Sequence, residues 1–190
     1  MMLNILVNRF LLRIIFLSLL VTPYLVFADT NKQYRMDDCE IFDGYQIGMT
    51  VDAFKSLYVK RYGNNQALSN PAYNELNGER WTVYTVPVSI DSVSVIASFT
   101  FAEHGLGMIS GEFDPSDFRN IRESFIRYFG SPDKDGLNYI DAGKAFDIWK
   151  TKSKLVFVNQ IAVNKNAGSI TISADINDTK LYEACGVLVR

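Results

Sequence analysis

Two stretches of the chain repeat their apolar residues with a helical period. In the later one, Phe118, Ile121, Phe125 and Phe129 recur at spacings of 3, 4 and 4, which puts them on one face of a helix. Both ends of this helix are marked. Asp114 suits the N-cap, and Pro115 suits the first helical position, where its missing N–H costs nothing. Asp117 adds negative charge near the positive end of the helix dipole. Gly130 suits a left-handed C′ position, and Pro132 stops continuation. The earlier stretch lies 67 positions back: Val51, Phe54, Tyr58, Tyr62 and Gly63 stand where Phe118, Ile121, Phe125, Phe129 and Gly130 stand later. Val59 matches Ile126, and Thr50 supplies an N-cap. A tryptophan follows each helix, Trp81 and Trp149, at an offset of 68. Together these matches predict an internal repeat, with both tryptophans packed into equivalent core positions.

After each helix the period changes to two. Asn64 to Gly78 reads as a polar loop, and Arg80 to Pro87 as a β-branched and aromatic strand. Ser92 to Phe101 alternates, with Val93, Val95, Ala97, Phe99 and Phe101 on one face and Ser94, Ser98 and Thr100 on the other. Glu103-His104-Gly105 makes a hairpin turn into Leu106 to Phe113. The second half follows the same order. Asp133 to Gly143 is a polar loop, and Ala145 to Lys150 and Lys154 to Ile161 are strands. Asn164 to Gly168 turns the chain into Ser169 to Ile176, where Ile170, Ile172, Ala174 and Ile176 alternate with Ser169, Thr171, Ser173 and Asp175. A short helical turn, Thr179 to Ala184, then delivers Cys185. The predicted fold is α+β, with two tandem units, about 42–113 and 114–176, sharing a core. Each is one helix laid across the apolar face of a three-stranded antiparallel sheet.

The first 28 residues read as a secretory signal. Arg9 and Arg13 carry positive charge, Ile14 to Phe27 is apolar, and Val26-Phe27-Ala28 fits a small-residue cleavage site. An uncleaved anchor is the rival reading. The run after Arg13 is shorter than the ~20 residues a spanning helix needs, and Pro23 interrupts it. Cleavage leaves 29–190 as a single domain without a stable membrane anchor. Losing Arg9 and Arg13 takes the formal net charge from −2 to −4. A mildly acidic chain without basic runs is poorly suited to nucleic acid. Cys39 and Cys185 are the only cysteines. In an oxidising compartment, periplasmic or extracellular, they are expected to form one disulfide near the ends of the mature chain.

Ile47-Gly48-Met49-Thr50 opening a helix, Gly130-Ser131-Pro132 closing one, and strands after each resemble the small envelope domains of the SmpA/OmlA (BamE-like) group. Tandem copies of such a unit resemble the β-lactamase inhibitor protein fold. The resemblance implies a non-catalytic binding module of the bacterial envelope, and it carries over no site residue.

Catalytic chemistry has little to draw on. His104 is the only histidine. It is expected in an exposed turn, and no serine lies in a nucleophile-elbow pattern. One histidine and two paired cysteines leave no zinc ligand set, and no calcium-loop or phosphate-loop spacing occurs, so no metal or cofactor is expected. The acidic groups Asp37-Asp38-Glu40, Asp114/Asp117 and Asp133/Asp135 have local roles as leader, cap and turn. Lys150, Lys152 and Lys154 read as a solvated edge, with an acidic partner as the alternative. Asn177-Asp178-Thr179 fits a glycosylation sequon, relevant only in a eukaryotic pathway. The remaining candidate is the polar sheet face carrying Ser94, Ile96, Ser98, Thr100, Ser169, Thr171 and Ser173, continuous if the two sheets join. The expected function is binding of another protein, as an inhibitor or assembly factor. A hydrolase using carboxylates in an inter-repeat cleft is the alternative.

Overall fold

Both helices form where their end signals place them. A computed structural model describes residues 36–63, 65–76, 79–135, 146–159, 166–174 and 178–187. The signal segment, most of the Asp133–Gly143 loop, the start of the Asn164–Gly168 turn, Ile176 and Asn177 lie outside the described residues. Helix α1 spans Val51–Tyr62; its N-cap Thr50 accepts the Ala53 N–H at 3.2 Å, and Gly63 ends it at φ 65°. Helix α2 spans Phe118–Phe129. Asp114 caps as expected, accepting the Ser116 N–H at 2.9 Å, but the turn it starts, Pro115–Asp117, is a 3-10 turn that continues into α2. Phe54 and Tyr58 are buried on α1, and Phe118, Ile121 and Phe125 on α2.

The strands are β1 (Glu40–Phe42), β2 (Tyr45–Gln46), β3 (Ala72–Leu76), β4 (Glu79–Ile90) and β5 (Val93–Ala102). They continue with β6 (Gly105–Phe113), β7 (Lys134–Asp135), β8 (Phe146–Lys150), β9 (Lys154–Asn159) and β10 (Gly168–Ala174), and a short helix α3 (Thr179–Ala184) follows. The α+β class holds, with two corrections. Each long helix is followed by four strands, because β3 forms inside the expected Asn64–Gly78 loop and β7 inside the Asp133–Gly143 loop. The strands also do not make two sheets. They form one antiparallel sheet in the order β3-β4-β5-β6-β10-β9-β8-β7, joined where β6 pairs with β10 from Phe113↔Gly168 to Met108↔Ser173. Ala-Tyr-Asn-Glu-Leu has weak intrinsic strand preference. Its pairing with Glu79 to Val83 of β4 makes it a strand.

The helices cover one face of this sheet. Phe54 of α1 packs its ring 5.5 Å from Tyr84 and 4.7 Å from Phe99. Phe125 of α2 lies 6.0 Å from Trp149, whose Nε1 donates to the Gly130 carbonyl at 2.8 Å. The β1–β2 hairpin wedges between them, with Phe42 stacking 5.3 Å from Phe125 and Tyr45 lying 6.0 Å from Phe54. Beyond Val83, β4 has no partner from β3, and such an open edge invites pairing with other chains. Helix α1 occupies it: Tyr58 donates its hydroxyl to the Pro87 carbonyl at 2.9 Å, and the Ser89 N–H donates to Tyr62 at 3.3 Å.

The tryptophans are not equivalent. Trp149 is buried among the inner-face residues, whereas Trp81 is half-buried on the opposite face, its Nε1 donating to Glu79 at 3.3 Å. Their offset of 68 exceeds the helix offset of 67 by one, and one residue along a strand reverses the face. Thr82 is the inward-facing position 67 residues before Trp149.

The Cys39–Cys185 disulfide is formed, with Cα atoms 5.5 Å apart across a sequence separation of 146. Of the lysines expected as a solvated edge, Lys150 and Lys152 are exposed, but Lys152 and Lys154 also hold the chain beside the disulfide. Ser153 donates to the Asp38 carbonyl at 2.7 Å, Lys152 pairs with Asp38 at 3.5 Å, and Lys154 donates to the Glu40 carbonyl. Burial pushes the Lys154 ammonium below the ordinary lysine value, against the opposing pull of Asp38 and Glu40. The β8–β9 turn and α3 thus hold the segment that feeds the β1–β2 wedge. Replacing both cysteines by alanine is expected to lower stability by about 3–5 kcal/mol, measured by denaturant unfolding, because the bridge closes a long loop. An unchanged midpoint would mean the lysine and serine contacts alone hold the segment.

Candidate functional site

The sheet face turned away from the helices is the candidate site. Cross-strand register assembles it in rows. Thr85, Ser98, Ser110, Thr171 and Phe157 form one row across β4, β5, β6, β10 and β9. Ile96, Glu112, Ser169, Asn159 and Phe146 form the next. Thr100, Met108, Ser173, Leu155 and Lys150 form a third. All seven residues singled out from the sequence therefore share this face, but they sit on β5 and β10, which are not neighbours. Strand β6 lies between and adds Met108, Ser110 and Glu112.

The face is not uniformly wet. Ser94 and Ile96 are exposed, Ile96 at 53%, while Ser98, Thr100 and Ser169 are buried and Thr171 and Ser173 half-buried. Small side chains in the middle of a wide sheet are overtopped by larger neighbours in adjacent rows, here Ile96, Met108 and Phe157. Thr85 and Ser98 hydroxyls hydrogen-bond each other at 2.8 Å. The Ser169 hydroxyl has no hydrogen-bond partner among the described residues. Toward the second-half edge the face turns apolar, with Leu155, Phe157, Phe146 and Ile148 all half-buried and Phe146 stacked 6.2 Å from Phe157.

Sequence reasoning missed the β6 contribution for a physical reason. A bulge opposite Thr100/Phe101 pairs Leu106 with Phe101 but Met108 with Thr100, so two residues of equal parity face opposite sides.

The opposite, helical layer holds the carboxylates that the hydrolase alternative would need. The buried Asp147 accepts from Arg122 Nε at 2.7 Å. Asp91, in the β4–β5 turn, accepts from Ser124 and Arg127 of α2, and these bonds, the Ser124 one foremost, hold its carboxyl below the usual range. Asp43 pairs with Arg61 at 2.8 Å. Glu40 accepts the Tyr128 hydroxyl at 2.7 Å. Beneath the β1–β2 hairpin, Phe42 and Tyr45 leave a cavity of about 20 Å³ against the sheet, lined mainly by apolar side chains such as Phe99, Ile109 and Ile170. That is room for about one water molecule.

His104 is half-buried rather than exposed, its ring 5.6 Å from Tyr182. It borders a recess of about 380 Å³ with Arg80, Glu103 and Thr82 beside the start of α1. Among the described residues no hydroxyl or carboxylate hydrogen-bonds its imidazole.

Comparison with known proteins adds no assignment. No family model, curated protein or solved structure matches the chain.

The Glu40–Tyr128 contact joins the hairpin wedge to α2 and gives a pH-dependent contribution. Burial opposes ionisation of Glu40, but the bonds from Tyr128 and Gly44 and the charges of Lys154 and Arg61 outweigh it, so its carboxyl lies below the ordinary glutamate value. Burial and the same hydrogen bond push Tyr128 up to about 12. A depressed carboxylate pKa stabilises above the unfolded-state value, and that stability is lost as pH falls through the folded value. The melting temperature is therefore expected to fall below about pH 4.5. Tyr128→Phe should lower it at pH 7 and flatten the acid limb, as followed by circular dichroism. An acid limb of unchanged steepness in the variant would assign the pH dependence to other carboxylates.

Proposed function

We propose that this chain is an exported, non-catalytic protein-binding module of the bacterial envelope, docking its partner on the outer face of the eight-stranded sheet. The observation that carries this reading is the asymmetry of the sheet. One face is covered by α1, α2 and the β1–β2 hairpin. The other presents small hydroxyls flanked by exposed Ile96 and by Met108, Phe157, Phe146 and Ile148, an apolar surface of the kind that marks interaction sites. The disulfide supports an oxidising destination, periplasmic or extracellular, and agrees with the leader read at 1–28.

Element order supports the tandem reading and with it the resemblance to SmpA/OmlA domains arranged as in the β-lactamase inhibitor protein. Each long helix precedes a four-stranded antiparallel run, and the two runs meet through their last strands, β6 and β10. The engaged state of Asp43, Asp91, Asp147 and Glu40, and the filling of the inter-helix space by Phe42 and Tyr45, favour binding over a carboxylate hydrolase, which needs two carboxyls facing an open cleft. Inhibition of an enzyme or assistance in assembly are both served by such a face.

A photo-crosslinking amino acid placed at Ile96 or Ser94 in cells should capture one predominant protein, and the same probe at Lys60, on the solvent side of α1, should not. Equal capture from both positions, or none from the outer face, would reject the docking surface.

A further inference from the structure

Glu112 stands near the end of β6, a central strand of the outer face, with Ile96 directly across on β5 and Ser169 directly across on β10. It is the only charged side chain that β5, β6 and β10 place on that face. It is half-buried, and among the described residues no cation and no hydrogen-bond donor engages its carboxylate. The carboxylates of the helical layer contrast with it, since Glu40, Asp43, Asp91 and Asp147 each have a donor. Beside it the Ser169 hydroxyl is 7% exposed and also lacks a hydrogen-bond partner. Directly opposed residues on paired strands hold their Cβ atoms about 4.5–5.5 Å apart, so the carboxylate and the hydroxyl can serve one incoming group. The buried Ser169 hydroxyl, left unsatisfied, carries a desolvation cost that a matching donor or acceptor would relieve, and the half-exposed carboxylate beside it supplies the charge that attracts a cation.

We propose that the outer face receives its protein partner through an arginine side chain seated on the Glu112 carboxylate between Ile96 and Ser169. The proposal rests on the docking face argued above and names what that face recognises. Arginine fits by chemistry. Its apolar stem packs on exposed Ile96, and its planar fork offers several donors in fixed geometry, enough for the carboxylate and the Ser169 hydroxyl together. One carboxylate and one hydroxyl are too few ligands for a calcium ion, and a negative charge without a neighbouring cation repels phosphate-bearing polymers and anionic lipid.

The test selects ligands without knowing the natural one. A random-peptide phage library is panned against the disulfide-bonded protein, and recovered peptides are measured by fluorescence anisotropy. The recovered sequences should be enriched in an arginine flanked by apolar residues. Changing that arginine to glutamine should weaken binding at least about tenfold, and Glu112→Gln should do the same. Making both changes together should add little, and the Glu112→Arg variant should regain binding to the peptide carrying glutamate in place of arginine. Ser169→Ala should weaken binding less, and melting curves confirm that each variant is folded. If peptides lose binding on Ile96→Asp but are indifferent to Glu112→Gln, the face docks proteins and the arginine assignment is wrong. If recovered peptides ignore both substitutions, or none are recovered, the docking face falls together with the proposal.

Discussion

The pairing of β6 with β10 is the contact on which the rest of the molecule depends. Without it the chain would hold two four-stranded runs, each with a bare edge. With it there is a single inner face wide enough to need two helices and a hairpin to cover it, and a single outer face. The junction is close-fitting. A Cβ on Gly168 would lie 2.3 Å from the Phe113 ring, so any larger residue here would have to displace that buried ring from the junction. Register matters because a slip of one residue would turn Ile170 and Ile172 outward and bury Ser169, Thr171 and Ser173 against the helices.

The helical layer is tied across this junction more by packing than by charge. Asp91 in the first half meets Ser124 and Arg127 of α2, but Asp91 and Arg127 are more than half exposed, and such surface pairs contribute little. Phe42 does more. It stacks on Phe125 and touches Tyr128, while Tyr45, three residues on, packs against Phe54 and Phe99. The hairpin is therefore the keystone between α1 and α2. Its entry is fixed from the far end of the chain, by Cys185, and from the β8–β9 turn, by Ser153 and Lys154. A second close approach holds its exit: Gly105 lies so near the Gly48 carbonyl that a Cβ there would come within 2.4 Å of the oxygen, at a φ of 92° that already favours glycine. The Ile47-Gly48-Met49 link is thus docked on the β5–β6 turn through the Gly48 and Leu106 amides.

What was legible in the sequence follows from which forces act locally. The helices could be read because period, cap and stop signals agree at Thr50, Gly63, Asp114 and Gly130. The strands β5 and β10 could be read because their alternation is unbroken, and the disulfide because the chain has two cysteines and therefore one intramolecular pairing. Features set by distant partners could not be read. Strand β3 takes its conformation from β4, and β7 is two residues opposite Asp147 and Ile148. The wedge of Phe42 and Tyr45 has no periodic signature in a strand pair this short. The apparent equivalence of Trp81 and Trp149 failed on a single residue of offset. The candidate face was legible as two polar stripes on β5 and β10, yet its centre was hidden because the β6 bulge breaks the alternation that would have shown Glu112 beside Ser169.

A wide sheet face bearing Ile96, Met108, Phe146 and Phe157 is a hazard, since two copies could stack on it. The placement of Glu112 bears on that hazard. Two such faces brought together would remove an unpaired carboxylate from water on each side, a cost that apolar contact between the flanking residues must first overcome. On the proposed reading, the same charge that penalises self-association would favour a basic partner, so one residue would separate wanted from unwanted contacts by the difference it makes to each. The hydroxyl rows contribute to this balance. Thr85 and Ser98 satisfy each other, and Thr171 and Ser173 keep the middle of the face small and flat, leaving the Glu112–Ser169 pair as the point where an incoming side chain gains most. The outer face thus keeps the Glu112 carboxylate without a donor among the described residues, while Glu40, Asp43, Asp91 and Asp147 of the helical layer each accept from one.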